Sequence, residues 1–539
     1  MKNTITLLLL FIGIHITAQE TNFVQGDILI QLRKDYTVAD LTNDNSNITI
    51  ISSKLISKPL NIYKLHVDTA IKNEQEHISD FNRSLDVLTV QLNHYTSSRA
   101  TTPNDALFGQ QWQYFQENDR DIDADEAWDV TTGGSTMNGD VIVAGVIDGG
   151  FNINHPDLIE NLYTNTAEIP DNDIDDDENG YVDDVNGWNA FNSSGVLFGA
   201  NFDDGHGTAV QGIVGAKGNN DIGVAGVNWD VKVMTISGSS GNESIVLEAY
   251  SYILESRMLY NETNGESGAF VVTTNASFGI DFGQPENSPL WCAMYDTLGQ
   301  NGILSCGATI NGNQNVDVVG DVPTACPSEY LIAVTNTNIN DVKINNAGFG
   351  LETIDLGAPG QGTFTTSSNS YGGFGGTSAA TPHVTGTIAL LYSAPCQTLA
   401  DLALSDPQLA TEIVRDLILN NVDPNTSLEG ITVTGGRLNV NNSMIDLINN
   451  CDTLLAIKDN LLEDRLTLYP NPAKDILNIE LPQSITIEAA SLYNLQGQKL
   501  ANTAVLNNSI NIANLSKGVY ILTLKTTTGT SFHRTFIKE

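Results

Sequence analysis

The stretch Val141-Ile142-Val143-Ala144-Gly145-Val146-Ile147 is apolar at every position and ends on Asp148. A strand with one solvated face alternates apolar and polar residues, so an unbroken run of this length belongs to a strand covered on both faces. Runs of similar character at Val231–Ile236, Phe270–Thr274, Ile303–Cys306 and Leu331–Val334 alternate with helical patterns over Glu243–Leu259 and Ser378–Tyr392. The alternation predicts an α/β domain with a mostly parallel sheet and helices on both faces. In such open sheets, an Asp at the carboxyl end of a strand faces the crevice where sites are built.

Two other segments supply partners for Asp148. In Gly376-Thr377-Ser378-Ala379-Ala380-Thr381-Pro382-His383-Val384, a serine stands at the start of an apolar helix. A helix N-terminus leaves N–H groups unpaired and carries partial positive charge, which suits an oxyanion formed when Ser378 attacks a carbonyl. Serine needs a base, and between residues 100 and 450 the histidines are His155, His206 and His383. His206 lies between two glycines in Asp204-Gly205-His206-Gly207-Thr208, at a loop-to-helix transition. Acid, base and nucleophile then follow in the order Asp148, His206, Ser378.

These three segments resemble the signatures of the subtilisin-like serine peptidases, over residues 120–395. Gly-Thr-Ser-Ala-Ala does not fit the Gly-x-Ser-x-Gly elbow of α/β-hydrolases. His206 also argues against the sedolisin-type peptidases, whose base is a glutamate. The resemblance implies a serine endopeptidase that cleaves protein or peptide substrates through an acyl-enzyme. It further implies an oxyanion donor at Asn311, after Gly302–Ile310, although Ile310 stands where the family usually has Gly and Asn313 and Asn315 offer other amides. Asn275-Ala276-Ser277-Phe278-Gly279 resembles the edge on which the family pairs an extended peptide, with Ser277, Phe278 and Gly279 as the expected substrate-binding residues and Ser237–Gly241 as the facing loop. The alternative from another class is a catalytically silent surface-binding protein with the same fold.

Between Asp148 and His206 runs Asp171-Asn172-Asp173-Ile174-Asp175-Asp176-Asp177-Glu178-Asn179-Gly180-Tyr181-Val182-Asp183-Asp184. Crowded carboxylates repel without a cation, and oxygen donors with no His or Cys suit calcium rather than zinc. Asp175, Asp177 and Asn179 with Gly180 match the first half of an EF-hand loop, but Asn186 stands where its Glu would be. The expected ligands of a structural Ca2+ are Asp175, Asp177, Asn179, Asp183 and Asp184. Overall, 24 Lys and Arg stand against 64 Asp and Glu, a formal charge of −40. Such a chain repels phosphate backbones and anionic lipid surfaces, so no nucleic-acid partner is expected.

Lys2, the apolar run Ile5–Ile14 and a small Ala18 read as a signal peptide over residues 1–18, and no later stretch reaches the length of a transmembrane span. Residues 19–98 hold strand patterns at Val24–Leu32 and Asn61–Val67 and a helix-compatible stretch at Asp68–Ser84. This small α+β module resembles the family's pro-regions, which assist folding and block the cleft, and the polar Thr96–Asn104 is the expected cleavage region. The peptidase domain is expected over 99–450, followed by a linker at 451–461.

The β-rich segment 462–539 alternates like a small β-sandwich. Its Leu466–Ala473, Asn494–Gln498 and Leu515–Leu522 motifs resemble the C-terminal sorting domain read by the type IX secretion machinery of Bacteroidetes. That resemblance implies a secreted or cell-surface protein exported through the periplasm of a Gram-negative cell. Five cysteines in an exported chain allow two disulfides. Cys292 and Cys326 lie in loop-like surroundings and Cys396 and Cys451 flank the segment after the Ser378 helix, which suggests pairing in that way, with Cys306 free in a buried strand.

Overall fold

The computed structural model describes residues 23–44, 50–94, 101–197, 204–454, 467–480, 487–503, 505, 508–526 and 531–539. The expected signal peptide, residues 96–100 of the expected cleavage region and most of the 451–461 linker lie outside the described residues. The chain divides into two units, residues 1–99 and 100–539.

In the first unit, strands Ile50–Ser57, Ile62–Val67, Phe23–Leu32 and Val87–His94 form an antiparallel sheet in that order. Ile28, Ile30, Leu65 and Val67 join Leu41 and Phe81 of the helices Val38–Asp44 and Glu74–Phe81 in a small core. Asn73 starts the second helix with a capping box: its side chain accepts from the Glu76 amide while Glu76 reaches back to the Asn73 amide. That cap explains why the helix is shorter than the Asp68–Ser84 pattern. The edge strand Ile50–Ser57 was not legible in the sequence because most of its side chains face solvent on both sides, leaving no apolar alternation.

The second unit is organised by a sheet in the order Asp423–Pro424, Gly436–Arg437, Leu356–Ser367, Leu331–Asn338, Leu304–Ala308, Val271–Ala276, Val143–Asp148, Lys232–Ser237, Gly187–Asn189. Its central pairings are parallel. Ser370–Gly375 folds back antiparallel on Leu356–Ser367. Successive strand residues point to opposite faces. Ala144 and Val146 therefore enter a core with Val210, Val214, Val384 and Ile388, while Val143 and Ile147 enter another with Val246, Tyr250, Ile253 and Tyr295. The helices Asp204–Gly215 and Thr377–Leu391 cover the first face, and Glu243–Thr263 and Pro289–Gln300 the second. Burial on both faces is why positions 142–147 show no polar alternation, while Val141, which precedes the strand, is exposed.

Cys292 is bonded to Cys326 and Cys396 to Cys451, while Cys306 is free and buried. Burial pushes the Cys306 thiol up to about 12, so it stays protonated inside the sheet. The core of the sheet domain runs on to Leu454, beyond the expected boundary at 450, because the Cys396–Cys451 bond and buried Leu454 hold that turn in place. Toward the C-terminus, Thr467–Tyr469, Ile476–Glu480 and Ser509–Asn511 form one antiparallel sheet. Ile487–Asn494, Lys499–Thr503, Gly518–Thr526 and Ser531–Lys538 form another. Leu477, Ile479, Leu492, Leu522 and Phe536 fill a core drawn from both sheets, as in a β-sandwich.

Candidate active site

Asp148 ends the strand Val143–Asp148 and is 3% exposed, with one oxygen accepting the Gly149 amide at 2.7 Å. His206 occupies the first turn of the helix Asp204–Gly215, and its Nδ1 lies 2.8 Å and 3.0 Å from the two Asp148 oxygens. The contact requires the helix to press close against the strand end. A Cβ at position 207 would lie 2.3 Å from the Gly150 carbonyl oxygen and 3.0 Å from Asp148 Cβ, so only glycine fits after His206. Thr366 Oγ1 donates to Thr208 O at 2.6 Å and ties the same turn to the sheet. The Phe374 ring meets the imidazole edge-on, with centroids 5.3 Å apart.

Ser378 begins the buried helix Thr377–Leu391 behind Gly376, whose φ of 98° favours glycine. Its Oγ donates to the Ser277 carbonyl oxygen at 3.2 Å, and Ser277 Oγ donates to Ser378 O at 3.0 Å. Asn275 supports this exchange from below, donating to Ser277 Oγ at 2.9 Å and accepting from Thr385 Oγ1 at 3.0 Å. The end of strand Val271–Ala276 is thus fastened to the first turns of the Ser378 helix. Asn275 opens the segment Asn275–Gly279 that resembles the family's peptide-pairing edge, and its side chain serves here to brace Ser277 and Thr385.

Asn311 follows strand Leu304–Ala308 and approaches the same turn. Its Oδ1 accepts from Thr377 N at 3.0 Å and Thr377 Oγ1 at 3.2 Å, which leaves its NH2 group to serve as donor. A Cβ on Gly376 would stand 3.0 Å from that Oδ1. Asn311 and Ser378 share a cavity of about 90 Å³ with Ser277, Phe278 and Gly279. Asn313 and Asn315 do not line this cavity: the Asn315 Oδ1 caps the turn at Asp317, and the Asn313 Oδ1 accepts from Lys343 Nζ. The expected facing loop is also brought close, because Ser239, Ser240 and Gly241 line a second cavity, of about 350 Å³, with Phe278, Gly279 and Trp291.

The remaining histidines of the sheet domain are structural. His155 is buried against Ser370 O at 3.1 Å. His383 is buried with Nδ1 at 2.8 Å from Ala379 O, and desolvation pushes it down to about 4, so it is uncharged at neutral pH.

In the acidic loop, Glu168, Asp175 and Asp177 each place a carboxylate oxygen within 4.8 Å of the others. Glu168 was not among the expected ligands: it precedes the loop as a single carboxylate outside any repeat. It is 5% exposed and also accepts the amides of Asp176, Asp177 and Asp183. Of the other expected ligands, Asp183 accepts the amides of Asn172 and Asp173, and Asn179 turns its Oδ1 to the Tyr181 amide. Asp184 is buried against Asn165 and Asn179, and desolvation raises it to about 6. An all-carboxylate donor set of this kind suits a hard divalent cation.

Residues 139–443 match the model of the Subtilase family, and residues 467–539 match that of the secretion system C-terminal sorting domain. The C-terminal match gives the chain an export address. An extracellular protease of Xanthomonas campestris pv. campestris is 30% identical over 320 residues, covering 56% of this chain and 51% of that protein. The extracellular basic protease of Dichelobacter nodosus is 28% identical over 341 residues, covering 60% and 53%. A thermophilic serine proteinase of Bacillus sp. strain AK1 is 26% identical over 390 residues, covering 70% and 81%. The chain spans about half the length of the first two relatives. A solved protease of Pseudoalteromonas arctica superposes with a TM-score of 0.46 at 21% identity, over 64% of this chain and 99% of that one. Among the described residues, no helix is long and apolar enough to cross a membrane.

Proposed function

Because the chain belongs to the subtilase family, we propose that it is an exported serine endopeptidase that hydrolyses peptide bonds in proteins or peptides through an acyl-enzyme. The observation that carries the reading is the hydrogen-bonded pair Asp148–His206 in the same domain that sets Ser378 at a helix start beside Asn311. Ser378 Oγ gives up its hydrogen bond to Ser277 O, passes its proton to His206 Nε2 and attacks the scissile carbonyl carbon. Asp148 holds the Nδ1–H and stabilises the imidazolium that results. The Asn311 NH2 and the Ser378 amide receive the oxyanion, and His206 returns the proton to the leaving amine. Water then repeats the sequence to release the acid.

A structural calcium ion held by Glu168, Asp175 and Asp177 would neutralise the acidic loop between the Asp148 and His206 segments. Residues 19–98 are read as a pro-region, removed during maturation. The type IX machinery delivers the chain to the cell surface or medium. Replacing Ser378 with Ala tests the reading: the full chain is expected to fold, to lose peptidase activity and fluorophosphonate labelling, and to keep its N-terminal region. Labelling and turnover that survive the substitution would remove Ser378 from the mechanism. A wild-type chain that takes no label would favour the silent surface-binding alternative.

A further inference from the structure

We infer that the cavity beside Ser378 is a specificity pocket for a basic side chain, lysine in particular, with Asp321 at its base and Asp281 beside it. The inference rests on the peptidase reading above and names its substrate class.

Asp321 and Asp281 both line the cavity that holds Ser378 and Asn311. They belong to a short antiparallel ladder in which Asp321 stands directly opposite Asp281 and Val322 opposite Ile280. Gly279 permits that ladder to run under the site, since a Cβ there would lie 2.3 Å from the Val322 carbonyl oxygen. Directly opposed like charges destabilise a strand pair, so nothing in the ladder itself favours two carboxylates here.

Asp321 is 2% exposed. Its Oδ2 is fixed by three donors: Thr324 Oγ1 at 2.6 Å, Ile310 N at 2.8 Å and Thr309 Oγ1 at 3.2 Å. Oδ1 takes no hydrogen bond, and neither Asp321 nor Asp281 has a cationic partner, among the described residues. Burial, with Asp281 opposite, pushes Asp321 up to about 6, so a large share is ionised at neutral pH. A buried carboxylate without a counter-charge is costly, and an incoming ammonium group would supply it.

The remaining walls suit the stem of that group. Ala308, Ile310 and Phe278 line the cavity and would pack the methylenes of a lysine side chain, leaving its head at the carboxylates. A volume of about 90 Å³ is small for an aromatic ring, since a cavity of about 150 Å³ is what holds benzene. A peptide paired along Ser277–Gly279, with its carbonyl at Ser378 and its oxygen at Asn311, directs the side chain of the residue bearing that carbonyl into this cavity.

The test uses the secreted enzyme and two peptide substrates identical except for Lys or Leu before the scissile bond. The expected kcat/KM for the Lys peptide is higher by about tenfold or more. Asp321→Asn is expected to shrink that ratio, turnover of the Lys peptide falling more than that of the Leu peptide. Asp281→Asn, at an exposed position, should shrink it in the same direction. A merely structural role would lower both substrates together and leave the ratio unchanged. Calorimetric titration of the same enzyme with product peptides ending in Lys or Leu reads the pocket without turnover. Tighter binding of the Lys product supports the inference even if neither substrate is cleaved, an outcome that would instead sink the peptidase reading. Equal or weaker binding of the Lys product, or a ratio indifferent to both substitutions, overturns it.

Discussion

Ser277 and Ser378 exchange hydrogen bonds across the site, Ser277 Oγ donating to Ser378 O at 3.0 Å and Ser378 Oγ to Ser277 O at 3.2 Å. The residue on the proposed peptide-binding edge and the proposed nucleophile are thereby held in one rigid unit, buttressed by Asn275 and Thr385. A substrate aligned on Ser277–Gly279 is registered against Ser378 with little freedom to lose, which is how positioning lowers a barrier.

Asn311 provides a direct test of the oxyanion assignment. Because its Oδ1 is occupied by Thr377, Asn311→Ala removes a pre-oriented NH2 donor. Loss of one such donor typically lowers kcat about 100- to 1000-fold. We expect a fall in that range with KM nearly unchanged, measured on any peptide the wild type cleaves. Asn313→Ala and Asn315→Ala should leave kcat within a few-fold, and a larger loss at either would move the donor there.

Cation binding should show in thermal stability. A ligand that binds only the native state stabilises it by about 2.7 kcal/mol at a hundredfold excess over Kd. Chelation is expected to lower the melting temperature and hasten self-digestion. The calcium-dependent shift should vanish in Glu168→Gln with Asp175→Ala and Asp177→Ala. A shift that persists in this triple variant places the ion elsewhere.

A pH effect is expected from carboxylates around Asp123. Burial and the neighbouring Asp119, Asp423 and Asp121 raise Asp123 to about 7, and burial raises Asp121 to about 6. Burial and the adjoining Glu126 also raise Asp125. The facing groups are Asn439, which donates to Asp123 at 2.6 Å and to Asp423 at 2.9 Å, and Arg437, which pairs with Asp423 and Asp341. Since these folded-state values lie above those of the unfolded chain, the folded state binds more protons. The stabilisation is full below about pH 4 and is lost as the pH rises through 6 and 7. Calorimetry in constant excess calcium should show the melting temperature falling from about pH 5 to about pH 8, with a flatter slope in Asp123→Asn. A rising or unchanged melting temperature would contradict the assignment.

Removal of residues 467–539 should spare activity and abolish delivery. Among the described residues, the core of this segment is drawn from positions 473–536, a core of its own, so few contacts are expected to couple it to the sheet domain. Expressed in a Bacteroidetes host, the truncated chain is expected in the periplasm, recovered by osmotic shock with wild-type specific activity. Equal amounts of truncated and full-length protein at the surface would assign the segment a different role.

The sequence by itself determined what local pattern can encode. The unbroken apolar run before Asp148 announced a strand buried on both faces, and the helix behind Ser378 runs over Thr377–Leu391, close to its expected span. The expected cysteine pairs are the ones formed. These readings succeed because residue type and near-neighbour spacing set element type, face and the roles open to a side chain. Only the tertiary structure decided which distant groups meet. It brought Glu168 to Asp175 and Asp177, turned Asn179 and Asp183 toward backbone amides, and set Asp321 opposite Asp281 in the cavity of Ser378. None of those relations has a sequence period, because each depends on how loops from separate strands close over one crevice. The link between Ser277 and Ser378 joins positions 101 residues apart, and its partner is chosen by the packing of the sheet against the helix rather than by anything near either serine in the chain.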